Sequence, residues 1–246
     1  MKVFILLRST LFALGQITTL VLFSVLGQLT RPFSHKVRYA FMSKWAYFCL
    51  AWLRVTCGIR AKPQGLEQID PKKAGLILAR HESAWETLYL QTIFPRQAYV
   101  LKQELLRIPF FGWGMSLLHP IAIDRAGGRA ALKQLLTEGQ ERLANGNWVV
   151  IFPEGTRMPP NELGKINVGG AMLAKQSGVP VYLVSHNAGR LWPKNSFLKH
   201  PGIIDVQVQR VDNLEALSLS ELNQLTADWF SANFESPTPP SGGSNA

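Results

Sequence analysis

His81 and Glu86 stand five residues apart in the stretch Gly75–Leu90, GLILARHESAWETLYL. An imidazole next to a carboxylate is suited to taking a proton from an alcohol. The carboxylate fixes the proton on one ring nitrogen and leaves the other as a base near pH ~7. On one continuous helix, a spacing of five would turn the two side chains about 140° apart. Pairing therefore needs His81 in the loop before a helix and Glu86 in its first turn. The same residues also spell a helix capping box, Ser83-x-x-Glu86. The two readings are compatible, and the sequence leaves both open.

Three more stretches place charge where a strand ends. Lys102 closes the run QAYVLK, Asp124-Arg125 closes PIAID, and Glu154-Gly155-Thr156-Arg157 follows WVVIF. Cations gathered beyond strand ends make an anion site, and an Arg can grip a phosphate through two parallel hydrogen bonds. Pro153 and Gly155 would shape a tight turn that lets backbone N–H groups approach a ligand. Other chemistries are excluded by what their motifs require. Gly112-x-Gly114 lacks the third glycine of a dinucleotide loop, and Leu163-Gly164-Lys165-Ile166 lacks the frame of a phosphate-binding P-loop. The chain has no Gly-x-Ser-x-Gly, His-Glu-x-x-His or Cys-x-x-Cys motif, so neither a hydrolase elbow nor a metal site is expected.

These residues need a scaffold that brings strand ends together. Short apolar runs at Gly75–Ala79, Gln97–Lys102, Pro120–Arg125, Trp148–Phe152, Val179–Val184 and Gly202–Val211 read as strands. Helical patterns at Ser83–Ile93, Arg129–Leu143, Gly170–Gln176 and from Ser218-x-x-Glu221 to about Phe234 lie among them. Glu104–Leu118, interrupted by Pro109, predicts a broken helix or a membrane-facing loop. The alternation implies an α/β fold with a mixed, mostly parallel sheet flanked by helices, and ligands beyond the carboxyl ends of its strands.

The first 62 residues differ from the rest. They hold nine Lys and Arg and no Asp or Glu, whereas the remainder carries seventeen basic against sixteen acidic residues. A basic surface on the folded domain is what nucleic-acid binding requires, so that class is set aside. Ser9–Leu29 is free of charge and long enough to cross a bilayer. Tyr39–Val55 is a second apolar segment, in which Tyr39, Trp45, Tyr47 and Trp52 suit the headgroup level. Basic residues on every flank give no in/out asymmetry. The expectation is a membrane-embedded helical hairpin dipping into one leaflet, with a single span as the alternative. Residues 1–62 thus form a membrane-associated segment, 63–235 the catalytic domain and 236–246 a disordered tail. Cys49 and Cys57, about 12 Å apart along a helix, are too distant for a disulfide and suit a reducing compartment.

Taken together, the chemical stretches resemble the lysophosphatidic acid acyltransferase family in its bacterial membrane-bound form. The resemblance runs over Leu76–Gly189. It rests on a His-x4-Asp block met as His81 to Glu86, on Ile123-Asp124-Arg125, on a complete Phe152–Arg157 (FPEGTR), and on Val179-Pro180-Val181. Glu86 stands where the family has Asp, keeping the charge and adding reach. The resemblance implies acyl transfer from acyl-CoA or acyl carrier protein to the 2-hydroxyl of lysophosphatidic acid, giving phosphatidic acid. It also implies a glycerolipid acyltransferase-like fold at the cell inner membrane, with the catalytic domain on the cytoplasmic side. His81 and Glu86 would be catalytic. Lys102, Arg125 and Arg157 would hold the acceptor phosphate, with Glu154, Gly155 and Thr156 shaping the glycerol site. No acyl-enzyme, metal or other cofactor is implied. A sister enzyme acting on glycerol 3-phosphate or another lysolipid is the alternative, and a non-catalytic membrane-binding protein the more distant one.

Overall fold

The computed structural model describes residues 2–160 and 162–233. The tail expected at 236–246 lies outside them. Two long helices come first, α1 (Lys2–Gln28) and α2 (His35–Cys57). Then follow β1 (Ile59–Gln64), β2 (Leu76–Ala79), α3 (Trp85–Ile93), β3 (Gln97–Lys102), α4 (Phe111–Ser116), β4 (Ile121–Ile123) and α5 (Arg129–Ala144). The chain continues through β5 (Trp148–Ile151), α6 (Gly169–Ser177), β6 (Val181–His186), α7 (Ala188–Leu191), β7 (Gly202–Arg210) and α8 (Leu219–Asn233).

The strands make one seven-stranded sheet in the order β1-β7-β6-β2-β5-β3-β4. All neighbours are parallel except β6 and β7. This is the mixed, mostly parallel sheet that the alternating pattern predicts. The inner strands are apolar throughout because helices cover both faces. Ile77, Val150, Tyr182 and Val184 enter the core on the α2/α3 side, while their neighbours Leu76, Leu78, Val149 and Leu183 enter the core under α5, α6 and α8. The strand β1 escaped the sequence reading. Its residues, IRAKPQ, are largely polar, it pairs only with β7 at the sheet edge, and an edge tolerates Pro63.

The arm is docked along the domain rather than standing apart from it. At one end of α1, Ser9 Oγ accepts the Lys199 N–H at 3.0 Å, and Phe12 meets Trp192 edge-on at 5.3 Å between ring centres. At the other end, Gln28 Nε2 donates to the Trp113 carbonyl at 3.3 Å. Several polar residues inside α1 face the domain or α2: Ser24 is buried, Gln16 lines the cavity described below, and Thr19 Oγ1 accepts from Trp45 Nε1 at 3.2 Å. Tyr39 is buried and Trp45 and Trp52 bond to α1, so of the four aromatics expected at the headgroups only Tyr47 is exposed.

Pro109 ends a short 3-10 turn (Gln103–Arg107) before α4, the break that its position predicts. The Gly112-x-Gly114 pair is there for packing. A Cβ at Gly112 would lie 2.0 Å from the Leu106 carbonyl oxygen, and one at Gly114 would lie 2.9 Å from Ser24 Oγ on α1. Cys49 and Cys57 are free and buried on α2.

Candidate active site

β2 delivers His81 to the carboxyl end of the sheet, in the loop before α3, and Glu86 occupies the first turn of that helix. His81 Nδ1 and Glu86 Oε1 are 2.7 Å apart. Glu86 is ionised, so Nδ1–H donates and Nε2 is left as the acceptor. The His81 ring stacks on Phe152, with 4.1 Å between centres. Burial opposes ionisation of Glu86, but the His186 ring and the bond from His81 outweigh it, with help from the Ser83 N–H, and its pKa is lowered.

Glu86 also accepts the N–H groups of Glu82 at 3.1 Å and Ser83 at 2.9 Å. The capping box closes on one side only, because Ser83 Oγ accepts from Trp85 N–H rather than from Glu86. The carboxylate therefore holds the loop and the imidazole at once.

Glu154 takes another place than the one expected. Its buried carboxylate accepts the backbone N–H of His81 at 2.8 Å and that of Gly164 at 3.3 Å, and it does not line the cavity described below. The Met158 N–H in turn bonds the His81 carbonyl at 2.7 Å. The loop after β5 thus clamps His81 through the main chain. Gly155 turns that loop with φ of +72°, and Thr156 is exposed outside the cavity, 3.5 Å from Lys194 Nζ.

Three buried partners were missed in the sequence. Arg80 Nη2 lies 3.3 Å from Glu82 and 3.5 Å from Glu154, one guanidinium between two carboxyls. Burial pushes Glu82 up to about 8 against the pull of Arg80, and it pushes Glu154 up as well. The third is His186 at the end of β6, whose Nδ1 accepts the Ala188 N–H at 3.3 Å. Its Nε2–H therefore points at the Arg80 carbonyl, 3.1 Å away, with Glu86 Oε2 at 3.8 Å. Burial lowers its pKa against the opposing pull of the Glu86 carboxylate. The adjacent polar run Arg80-His81-Glu82-Ser83 directly after an apolar strand was the available signal.

His81 faces a cavity of about 320 Å³ between the sheet and the arm. Lys102, Arg125 and Arg157 all line it, so the three cations taken from three strand ends do converge beside the histidine. The rest of the lining is mostly apolar and includes Ile17 and Leu20 of α1, Trp45 of α2, and Leu88, Leu101 and Met115. The arm is thus a wall of the site. Arg125 Nη1 also donates to the Gly155 carbonyl, which ties the loop after β4 to the loop after β5.

A family model described as Acyltransferase matches residues 60–187, from β1 to the end of β6 and across the whole site. The chain belongs to the acyltransferase family. This acyltransferase is 44% identical over 211 residues to the 1-acyl-sn-glycerol-3-phosphate acyltransferase of Pseudomonas aeruginosa, covering 85% of this chain and 81% of that one. It is 27% identical to the enzyme of the same name from Limnanthes douglasii, over 76% of this chain and 68% of that one. The crystal structure of a 1-acyl-sn-glycerophosphate acyltransferase from Thermotoga maritima shares the fold, with a TM-score of 0.78 at 22% identity over 95% of both chains.

Proposed function

We propose that this acyltransferase moves a fatty acyl group from a thioester to the 2-hydroxyl of lysophosphatidic acid, giving phosphatidic acid. One observation carries the reading: a His–Glu pair faces a cavity that is cationic at three strand ends and apolar elsewhere. The acceptor has that polarity, a phosphate monoester on an acyl chain. The shared fold and the Pseudomonas relative agree with it.

In the reaction, His81 Nε2 takes the proton of the acceptor hydroxyl as its oxygen attacks the thioester carbonyl carbon. The imidazolium is stabilised by Glu86 through Nδ1–H. The C–S bond then breaks, the thiolate leaves, and it recovers the proton from His81. An ester and a free thiol result, with no acyl-enzyme and no further cofactor. Lys102, Arg125 and Arg157 hold the acceptor phosphate, while Glu154 acts by positioning His81 and Gly155, outside that cavity, by turning the loop that carries Arg157. Acyl-CoA and acyl carrier protein are both donors of the required kind.

The arm seats the enzyme in a membrane with α1 lying in the plane of one leaflet. By length and composition α1 is able to cross a bilayer. Yet both of its ends are bonded to the domain, so a transverse α1 would drag the polar domain into the hydrocarbon. Phe4, Leu7, Leu14, Leu22 and Trp113 are exposed on that side, with Lys2, Lys36 and Lys44 to meet anionic headgroups. We assign the catalytic domain to the cytoplasmic face of the inner membrane, because both donors are made on that side.

The test is turnover of the purified full chain with both donors and a panel of acceptors. Lysophosphatidic acid is expected to be the fastest acceptor. Faster turnover of glycerol 3-phosphate or a diester lysolipid would assign the chain to a sister reaction, and no transfer to any acceptor would refute the reading.

A further inference from the structure

A second cavity, of about 330 Å³, lies against the same strand ends on the other face of the sheet. Val100 and Ile151 line it from β3 and β5, and Leu132 and Leu135 from α5. Val100, Arg125 and Phe152 belong to both cavities. The ring that stacks on His81 is therefore the partition between them.

The two cavities face different surroundings. The first is walled by α1 and α2, the proposed membrane side. The second is walled by α5 and α6, which cover the opposite face of the sheet. The mouth of the second is polar and open. Gly128 and Gly169 expose main chain there, and a Cβ on Gly128 would meet nothing within 4 Å. Arg125 lines it, Arg129 follows Gly128 at the start of α5, and Lys165 stands two residues before the lining Asn167. Arg125, Arg129 and Lys165 are all exposed. Asp124 and Glu104 are acids near Arg125, and the Asp124 carboxylate is engaged by the Ala126 N–H at 2.9 Å.

We infer that the second cavity receives the pantetheine arm of the thioester donor. This rests on the acyl-transfer reading above. The acceptor reaches His81 from the lipid, whereas the donor's carrier stays in water and needs a separate approach to the same atom. Pantetheine has amides and a branched apolar segment for a lining of main chain and aliphatic side chains, and a phosphate at its far end for Arg129 and Lys165. Its sulfur end lies at the shared rim of Arg125 and Phe152, next to His81. Acyl-CoA and acyl carrier protein carry the same arm, so the site serves either.

The experiment compares acyl-CoA, acyl carrier protein loaded with the same chain, and the matching acyl-N-acetylcysteamine, which lacks the pantoyl segment and the phosphate. Wild type, the double variant Arg129→Glu/Lys165→Glu and the cavity-filling Ala131→Phe are assayed on lysophosphatidic acid, with thermal melting as a check on folding. The charge reversal, on exposed side chains, is expected to raise KM for both phosphorylated donors about tenfold. The truncated donor should change less than twofold, as should KM for the acceptor. Ala131→Phe should raise KM for the phosphorylated donors in the same selective way. Equal losses on all three donors, or no loss on any, would overturn the inference. Loss with acyl-CoA alone would also overturn it, since the cations would then read the nucleotide phosphates. Wild type that transfers from no donor would instead refute the acyl-transfer reading itself.

Discussion

The chain contains Ser-x-x-Glu at the start of two helices, and the structure puts the two copies to different uses. At Ser218–Glu221 the box closes fully. Ser218 N–H donates to Glu221 Oε2 at 2.7 Å, and Glu221 N–H donates to Ser218 Oγ at 3.2 Å, on the surface. At Ser83–Glu86 the glutamate again reaches back to the serine N–H, but it is buried and its Oε1 also takes the His81 ring. A histidine two residues ahead of the serine, delivered by a buried strand, adds a ring contact to the cap and makes this copy the pair proposed above to move a proton. The motif sets where the carboxylate goes; the neighbours decide what it does.

The largest expected effect comes from removing the group that Glu86 serves. His81→Ala should lower kcat by about 10²–10⁴-fold, with the melting temperature close to wild type. Turnover within a few-fold of wild type would remove the chemical half of the comparison. Next comes the anion site beside it. Arg157→Ala should reduce kcat/KM for lysophosphatidic acid by about 10- to 150-fold, chiefly through acceptor KM, with Arg157→Lys recovering part of it. A diester acceptor that loses as much would show that Arg157 supports the loop instead of binding phosphate.

The surface copy should respond in stability alone. Ser218→Ala should cost about 0.5–2 kcal/mol by chemical denaturation, with turnover unchanged. A loss of activity there would mean that α8 reaches the site in some way its position does not suggest.

A further expected effect is one of pH. Glu82, in the same loop as Glu86, is pushed up to about 8 from an ordinary 4.5, chiefly by burial. The folded protein keeps a proton there that the unfolded chain releases. Its contribution to stability is complete below pH 4.5 and is lost as pH rises through about 8. Glu221 has the opposite sign: its pKa is lowered by its bonds with Ser218, so its contribution is lost as pH falls. Melting temperatures across this range should therefore decline with pH less steeply in Glu82→Gln than in wild type. Identical slopes would place the proton elsewhere in the Arg80 cluster.

Most of the sheet was legible because its inner strands are buried on two faces and so stand out as apolar runs. His81, Glu86 and the converging Lys102, Arg125 and Arg157 were legible because each sits just past such a run. β1 was hidden by its edge position, which removes the apolar signature. Glu154 was misplaced, and Arg80, Glu82 and His186 were passed over, for a different reason. Glu154 and His186 act through contacts between distant segments, which no local spacing encodes, whereas Arg80 and Glu82 pair within one loop and were marked only by the polar run after β2. The arm was read as an anchor, and only packing shows Ile17, Leu20 and Trp45 walling the cavity.

The central claim is that Glu86 serves His81 as well as the helix, and a paired measurement on Glu86→Gln and Glu221→Gln tests it. Glutamine still offers an oxygen to a serine N–H, but it cannot balance the charge of an imidazolium. Turnover and melting temperature are measured on both purified variants. The account predicts that Glu86→Gln loses at least about 10²-fold in kcat while melting within a few degrees of wild type, and that Glu221→Gln keeps full turnover. Near-wild-type turnover in Glu86→Gln, with a melting temperature lowered as by a lost cap, would contradict it and leave Glu86 a capping residue.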